Sequence, residues 1–141
     1  MRIIFMGTSD FAVPVLEKLI KSNNQIVSVY TQPPRPAGRG KRMLFSSVAL
    51  FAQRNGLNIK YVENFKEANE ISYLKRLKAD LVVVVSYGII LPKEIISHTR
   101  YGCFNVHPSL LPRWRGAAPI QRALLENDAR TGVCIIRMDE G

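Results

Sequence analysis

Short apolar runs alternate along the chain with segments whose apolar residues recur at three- and four-residue intervals. Leu81–Val85 is apolar without alternation, which is typical of a parallel strand covered on both faces. Other short apolar runs predict strands at Arg2–Gly7, Ile26–Thr31, Ile59–Val62, Cys103–His107 and Val133–Met138. Helices are predicted at Phe11–Ser22, from Ser46 or Ser47 to Arg54, and at Glu70–Ala79, Pro92–Ser97 and Ala118–Asn127.

Local signals mark where some of these elements begin and end. Asp10 is placed to cap the first helix, and Pro14 falls in its first turn. Gly56 ends the second helix. Pro33–Arg42 is rich in proline, glycine and arginine, so we expect an irregular loop there rather than a helix or a central strand.

This rhythm of strands and helices predicts one α/β domain. Its sheet should be twisted and mostly parallel, with right-handed crossovers and helices on both faces. In such a sheet, ligands bind beyond the carboxyl ends of the strands.

Composition narrows the class of protein further. The 141 residues fit one domain, and 47% hydrophobic with 22% charged residues exclude a disordered, collagen-like or low-complexity chain. We find no apolar run near the ~18 residues of a membrane helix, and we expect no signal peptide, because the N-terminal apolar run is short and lacks a cleavage site. Cys103 and Cys134 form no CxxC pair, so we expect two free thiols in a cytoplasmic protein, with a disulfide as the weaker alternative.

The formal net charge of +9 is unevenly distributed. Residues 1–60 hold nine basic and two acidic side chains, and no acidic residue occurs from Lys18 through Val62. Such asymmetry is equally consistent with a polyanionic partner such as nucleic acid and with an ordinary solvated surface. A membrane surface is less favoured, because no basic amphipathic helix stands out.

Several common kinds of site are not supported. The turn Gly7–Asp10 has one glycine where a dinucleotide fingerprint needs three and lacks the lysine of a P-loop, so we expect a tight turn and no NAD. His98 and His107 stand nine residues apart without a cysteine or carboxylate at ligand spacing, so no metal site is expected. A G-x-S-x-G serine nucleophile motif is also missing.

The end of the strand Cys103–His107 carries a more informative pair. Side chains alternate along a strand, so Asn105 and His107 should project from the same face, and Pro108 ends the strand. Asparagine can donate to an oxyanion and histidine can move a proton, which suits acyl transfer to an amine. Taken alone, the pair is better explained by a histidine bonded to a backbone carbonyl and an asparagine that forms a turn.

The residues that follow resolve this choice. Ser109–Gln121 reads S-L-L-P-R-W-R-G-A-A-P-I-Q, and with N-x-H-P before it the chain strongly resembles the methionyl-tRNA formyltransferases, within the folate-dependent formyltransferase superfamily. Further matching motifs are the N-terminal I-I-F-M-G-T-S-D-F-A, T-Q-P-x-R-P-A-G-R-G-K at Thr31–Lys41 and S-Y-G-I-I-L-P at Ser86–Pro92. The resemblance covers the whole chain and implies a Rossmann-like formyltransferase domain.

The resemblance implies transfer of a formyl group from 10-formyltetrahydrofolate, the donor substrate, to the amino group of methionyl initiator tRNA in translation initiation. Asn105 would hydrogen-bond the formyl oxygen, and His107 would handle the proton. The implied folate-binding residues are Ser86, Tyr87, Gly88, Ile89, Ile90, Leu91, Ser109, Leu110, Leu111 and Pro112. No metal and no NAD are implied.

The same resemblance assigns the basic loop to RNA. Cations spaced by proline and glycine suit phosphate contacts with the acceptor stem, although an ordinary solvated loop is the alternative. The implied tRNA-binding residues are Arg35, Arg39, Lys41, Arg42, Arg113 and Arg115. Trp114 could line the site or serve only in packing.

One departure from the family pattern qualifies these expectations. The pattern D-x-G-x-D-T-G is represented only by Asp139–Gly141, so its second, catalytic Asp would fall two positions later. We therefore expect residues 1–141 to be an incomplete N-terminal catalytic domain without the family's C-terminal tRNA-binding β-barrel, and to show little or no formyl transfer alone. A catalytically silent folate- or RNA-binding remnant and a folate-dependent formyltransferase for another amine remain alternatives. The oligomeric state is not predicted.

Overall fold

A computed structural model describes residues 1–140 of the chain. The strands are β1 (Arg2–Gly7), β2 (Gln25–Thr31), β3 (Arg35–Ala37), β4 (Arg42–Leu44), β5 (Ile59–Tyr61), β6 (Leu81–Val85), β7 (Cys103–His107) and β8 (Cys134–Arg137). The helices are α1 (Val13–Ile20), α2 (Ser47–Arg54), α3 (Ala68–Arg76), α4 (Lys93–Ile96) and α5 (Pro119–Leu125), with a 3₁₀ turn at Asp10–Ala12 before α1.

Six strands form one sheet in the order β5-β2-β1-β6-β7-β8. The first five are parallel, and β8 runs antiparallel to β7. The mostly parallel α/β sheet predicted from the sequence is confirmed. Its order reverses direction beside β1, and β1, β6 and β7 end at the same edge, where ligands bind in folds of this kind.

Side chains of the central strands alternate between two hydrophobic clusters, one on each face of the sheet. In β1, Ile3 and Phe5 pack on the face covered by α1 and α2, whereas Ile4 and Met6 pack on the face covered by α3 and α4. All four side chains are at most 1% exposed. Since burying such a side chain contributes about 1.5–3 kcal/mol, the two clusters hold the strand ends in place.

The first predicted helix starts differently from expectation. Asp10 caps nothing; it opens the 3₁₀ turn, and α1 begins three residues later with Pro14 in its first turn, as predicted. The Asp10 carboxylate instead accepts a hydrogen bond from the Ser47 hydroxyl at the start of α2. Capping at α2 follows the prediction, because the Ser46 hydroxyl accepts from the Ala49 amide at 3.0 Å.

The expected irregular loop at 33–42 contains regular structure. All but its first two residues belong to an antiparallel hairpin, β3 with β4, in which Arg35 pairs with Leu44 and Ala37 with Arg42. Gly38 and Gly40 adopt positive φ angles in the turn. The hairpin forms a two-stranded sheet of its own, so Pro36 sits in an edge position where its missing amide hydrogen disturbs no central strand.

Both cysteines are free, as expected. Cys103 is fully buried, and burial raises the pKa of its thiol to about 12. Within residues 1–140, the helices are all too short or too polar to cross a membrane.

Candidate functional site at the carboxyl ends of the strands

Asn105 and His107 lie at the end of β7 and face the same space. Both line a cavity of about 710 Å³ and an adjoining cavity of about 700 Å³. Asn105 is flanked by Val84 of β6 and Ile136 of β8. The alternation of β7 therefore brings the amide and the imidazole side by side, as the sequence predicted.

The His107 imidazole is 8% exposed and has a fixed partner. Its Nε2 lies 2.8 Å from the Trp114 carbonyl oxygen. A carbonyl only accepts, so the contact places the proton on Nε2 and leaves Nδ1 as the basic nitrogen of the neutral ring. The backbone-carbonyl contact proposed as the non-catalytic explanation thus exists, and it also fixes the orientation of a ring that lines both cavities.

The segment after β7 is held tightly by its own hydrogen bonds. Ser109 is fully buried; its amide donates to the His107 carbonyl at 2.9 Å, and its hydroxyl donates to the Arg113 carbonyl at 2.8 Å. Trp114 and Ala118 adopt left-handed φ angles of 62° and 58°. Such conformations persist where surrounding contacts over-determine them.

Asp128, which the sequence did not single out, braces this segment. Its carboxylate accepts from Arg113 Nε and Nη2 at 2.8 and 2.7 Å and from Trp114 Nε1 at 2.6 Å. Hydrogen bonds from Arg113, and then from Trp114, lower the pKa of Asp128 to about 2. Asp128 therefore fixes Trp114, and the Trp114 carbonyl fixes His107.

The opposite wall of the larger cavity is the turn after β6. Ser86 and Gly88 have φ angles of 48° and 78°. The Tyr87 carbonyl accepts from the Thr8 hydroxyl and from Gln32 Nε2, both at 2.9 Å. The Ser9 hydroxyl donates to that of Ser86 at 2.8 Å. From the sequence, Gly7–Asp10 is expected to form only a tight turn. In the structure, the Thr8 and Ser9 side chains also hydrogen-bond to this wall.

The implied folate-binding residues divide into three groups. Ser86–Ile90 line the larger cavity, and Leu111 and Pro112 line the adjoining one. The other residues lie elsewhere: Leu91 is buried beside a separate cavity of about 430 Å³, Ser109 is enclosed in its loop, and half-exposed Leu110 packs against Gly132.

The implied tRNA-binding residues also divide. Arg35, Arg39, Lys41 and Arg42 are exposed on the hairpin. Arg115 lines the adjoining cavity near His107. Arg113 stacks over the Trp114 ring at 4.2 Å while it pairs with Asp128, so its guanidinium is already engaged within the protein.

Comparisons with known proteins identify similar chains. The chain is 52% identical over 141 residues to the methionyl-tRNA formyltransferase of Novosphingobium aromaticivorans and 53% identical to that of Jannaschia sp.. Each match covers 100% of this chain and 47% of the relative, so the chain spans about half the length of these curated relatives.

Solved structures share the fold at lower sequence identity. Phosphoribosylglycinamide formyltransferase from Bacillus halodurans matches with a TM-score of 0.76 at 23% identity, covering 100% of this chain and 73% of that one. Formyltetrahydrofolate deformylase from Pseudomonas syringae matches with a TM-score of 0.75 at 20% identity, covering 99% and 46%. The family described as Formyl transferase matches residues 1–141. The chain therefore belongs to the formyl transferase family.

Proposed function

We propose that the site transfers the formyl group of 10-formyltetrahydrofolate to the amino group of methionyl initiator tRNA. The observation that carries this proposal is the pairing of Asn105 and His107 at the edge of the 710 Å³ cavity. A cavity of this size is in the range of small-molecule sites. The names of the curated relatives, at 52% and 53% identity, support tRNA as the acceptor.

In the proposed reaction the substrate amine attacks the formyl carbon and a C–N bond forms. The formyl oxygen becomes an oxyanion, to which the Asn105 amide donates a hydrogen bond. His107 accepts the proton that the attacking nitrogen loses, at Nδ1, because Nε2 is held by the Trp114 carbonyl. The same proton then passes to the departing folate nitrogen, the old C–N bond breaks, and tetrahydrofolate leaves.

Different parts of the site would bind the donor and the acceptor. The wall Ser86–Ile90 presents mixed apolar and backbone groups to the larger cavity, which suits the flat pterin of the donor. Arg115 lines the adjoining cavity, and the exposed hairpin follows Gln32, which lines the larger cavity, so the acceptor stem would contact the protein beside both cavities. The charge asymmetry of residues 1–60 is consistent with this assignment.

We further propose that turnover requires more than residues 1–141. The catalytic Asp expected from the family pattern is not among these residues, and Asp139, which lines the adjoining cavity, matches the first Asp of that pattern. The 141-residue chain and the full-length gene product should therefore be assayed side by side, with formyl transfer expected only from the latter.

The test is a formyl-transfer assay with the full-length gene product and two amine acceptors, methionyl initiator tRNA and a small aminoacyl nucleotide. Formylation of the tRNA and not of the small acceptor supports the proposal. Preferential formylation of the small acceptor would show instead that the protein is a folate-dependent formyltransferase for another amine. Binding of donor and tRNA without turnover of either acceptor would identify a silent binding module.

A further inference from the structure

Gln32 joins the two parts of the molecule to which different substrates are assigned. It follows β2 directly and lines the 710 Å³ cavity. Its Nε2 donates to the Tyr87 carbonyl at 2.9 Å, and its Oε1 accepts from Arg35 Nη2 at 3.0 Å. One amide thus bonds the cavity wall on one side and the first residue of the basic hairpin on the other.

On the wall side, Gln32 fits a position shaped for it. A Cβ atom at Gly88 would lie 2.5 Å from Gln32 Nε2, so only glycine leaves room for the amide to reach the Tyr87 carbonyl. The Tyr87 side chain is 2% exposed and packs in the core. The carbonyl that Gln32 binds is therefore fixed by the fold, and it serves as a reference point for the amide.

On the hairpin side, the connection is a single side-chain bond. Among the described side chains of residues 35–44, Arg35 alone makes a hydrogen bond to the rest of the protein, and its partner is Gln32. The hairpin otherwise pairs with itself and is exposed throughout β3 and β4. The Arg35–Gln32 bond therefore gives the hairpin a direct side-chain connection to the cavity wall.

We propose that Gln32 is a positioning residue that couples RNA bound on the hairpin to donor bound in the cavity. This inference rests on the proposed function. RNA that contacts Arg39, Lys41 and Arg42 orders the hairpin, which holds Arg35 on Gln32 and holds Gln32 against the wall. The donor then meets a wall already arranged for it, so each substrate tightens binding of the other by the same factor.

The experiment measures that factor in the full-length gene product. The affinity of the folate analogue 5,10-dideazatetrahydrofolate is measured by calorimetry with and without uncharged initiator tRNA, so that no reaction occurs. We expect the tRNA to lower the Kd of the analogue by about fivefold or more, the lower end of usual coupling between sites. Reciprocity requires the analogue to tighten tRNA binding equally.

Variants distinguish coupling through Gln32 from a simple loss of contacts with the tRNA. Gln32→Met removes both hydrogen bonds and keeps a side chain of similar length. Arg35→Met removes only the bond between the hairpin and Gln32, and Arg35 is exposed, so the substitution disturbs no core packing. Both should bring the coupling factor close to one. Arg39→Met is the matched control, because it removes the same charge from the same hairpin and Arg39 does not bond Gln32. It should weaken tRNA binding and keep the coupling factor.

Gln32→Glu distinguishes the two bonds. The glutamate still accepts from Arg35, but it presents no donor to the Tyr87 carbonyl. The coupling factor should fall as it does in Gln32→Met, since the connection to the wall is cut.

Each result decides between the hypotheses. A coupling factor of one in the wild type, with both ligands bound, overturns the inference and leaves the proposed function standing. A factor retained in Gln32→Met or Arg35→Met, or lost equally in Arg39→Met, overturns the role of Gln32. If neither the analogue nor the tRNA binds the wild-type protein, the proposed function fails and the inference fails with it.

Discussion

The end of β7 and the basic hairpin are built in opposite ways. His107 is almost enclosed, its Nε2 is bonded to Trp114, and Trp114 and Arg113 are in turn bonded to Asp128. The hairpin is exposed along both strands and is joined to the rest of the protein by one described side-chain bond, from Arg35. Fixed geometry is concentrated in one region and positive charge in the other.

This difference corresponds to what each proposed task requires. Donors that stabilise a developing charge act because they are already in place, and a misplacement of 1 Å far from the chemistry can cost about 10²-fold in rate. Attraction to phosphates depends on charge and salt far more than on exact position. Substitutions should therefore act mainly on turnover at β7 and mainly on RNA affinity at the hairpin.

The largest effect is expected at His107. His107→Ala should lower kcat of the full-length enzyme by about 10²–10⁴-fold, because the group that moves the proton is lost. Asn105→Ala should lower kcat by about 10²–10³-fold, as expected for an oxyanion donor. The measurement is the steady-state kcat of formyl transfer at saturating donor and tRNA.

His98→Ala is the control for these variants, because this histidine is exposed on the segment after α4. It should keep the wild-type rate. A full rate in His107→Ala or Asn105→Ala would contradict the assignment of the catalytic pair.

A smaller loss is expected when the brace behind His107 is removed. Asp128→Ala leaves Trp114 and Arg113 without their carboxylate, so the carbonyl that orients His107 becomes free to shift, and kcat should fall by about 10-fold or more. Glu126→Ala, which removes an exposed carboxylate from the same turn, is the control and should leave kcat unchanged. Equal rates for the two variants would show that the brace does not act on His107.

Protonation of Asp128 at low pH should release Arg113 and Trp114 from the carboxylate that holds them. Because the pKa of Asp128 is lowered to about 2, its contribution is complete above about pH 4 and is lost as the pH falls toward 2. Fluorescence of Trp114, the single tryptophan, should change across that window and should not change in Asp128→Ala. An identical acid transition in the variant would assign the change to another group.

A modest, selective loss is expected at the cavity wall. Gly88→Ala and Gly56→Ala place alanine at similar positive φ angles, each at a cost of about 1–2 kcal/mol. Only at Gly88 does the new Cβ meet another atom, Gln32 Nε2, at the end of a flexible side chain that can move aside. Both variants should lose similar stability in urea, while only Gly88→Ala loses donor affinity.

The smallest effect on chemistry is expected at the hairpin. Lys41→Met should lower RNA affinity by a few fold and reduce the slope of log K against log salt by about one, as expected for one lost phosphate contact. The rate within the bound complex should stay unchanged. A loss of kcat without a change in the salt slope would show that the hairpin serves the chemistry and not the RNA.

The sequence predicted the features that depend on neighbouring residues. The bounds of β6 and β7 follow directly from uninterrupted apolar residues and from Pro108, and the cap at Ser46 follows from its position before α2. The mostly parallel direction of the strands follows from the alternation of strands and helices along the chain.

Features that depend on distant partners were missed. Asp10 is bonded to Ser47, 37 residues away, and Gln32 to the Tyr87 carbonyl, 55 residues away. Local spacing carries no information about such contacts. It therefore predicts a helix cap at Asp10 and gives no role to Gln32. Asp128 was missed for the same reason, because it lies 15 and 14 residues away from Arg113 and Trp114, whose side chains donate to it.

The two cysteines give the protein a built-in place for a spectroscopic label. The Cys103 thiol is buried with its pKa raised to about 12, so it will resist maleimide reagents at neutral pH. Cys134 is partly exposed and lies directly opposite His107 in the β7–β8 pair, where facing side chains share one side of the sheet. A nitroxide or fluorophore on Cys134 would therefore report on events at the imidazole from the neighbouring strand, and the buried Cys103 can stay in place.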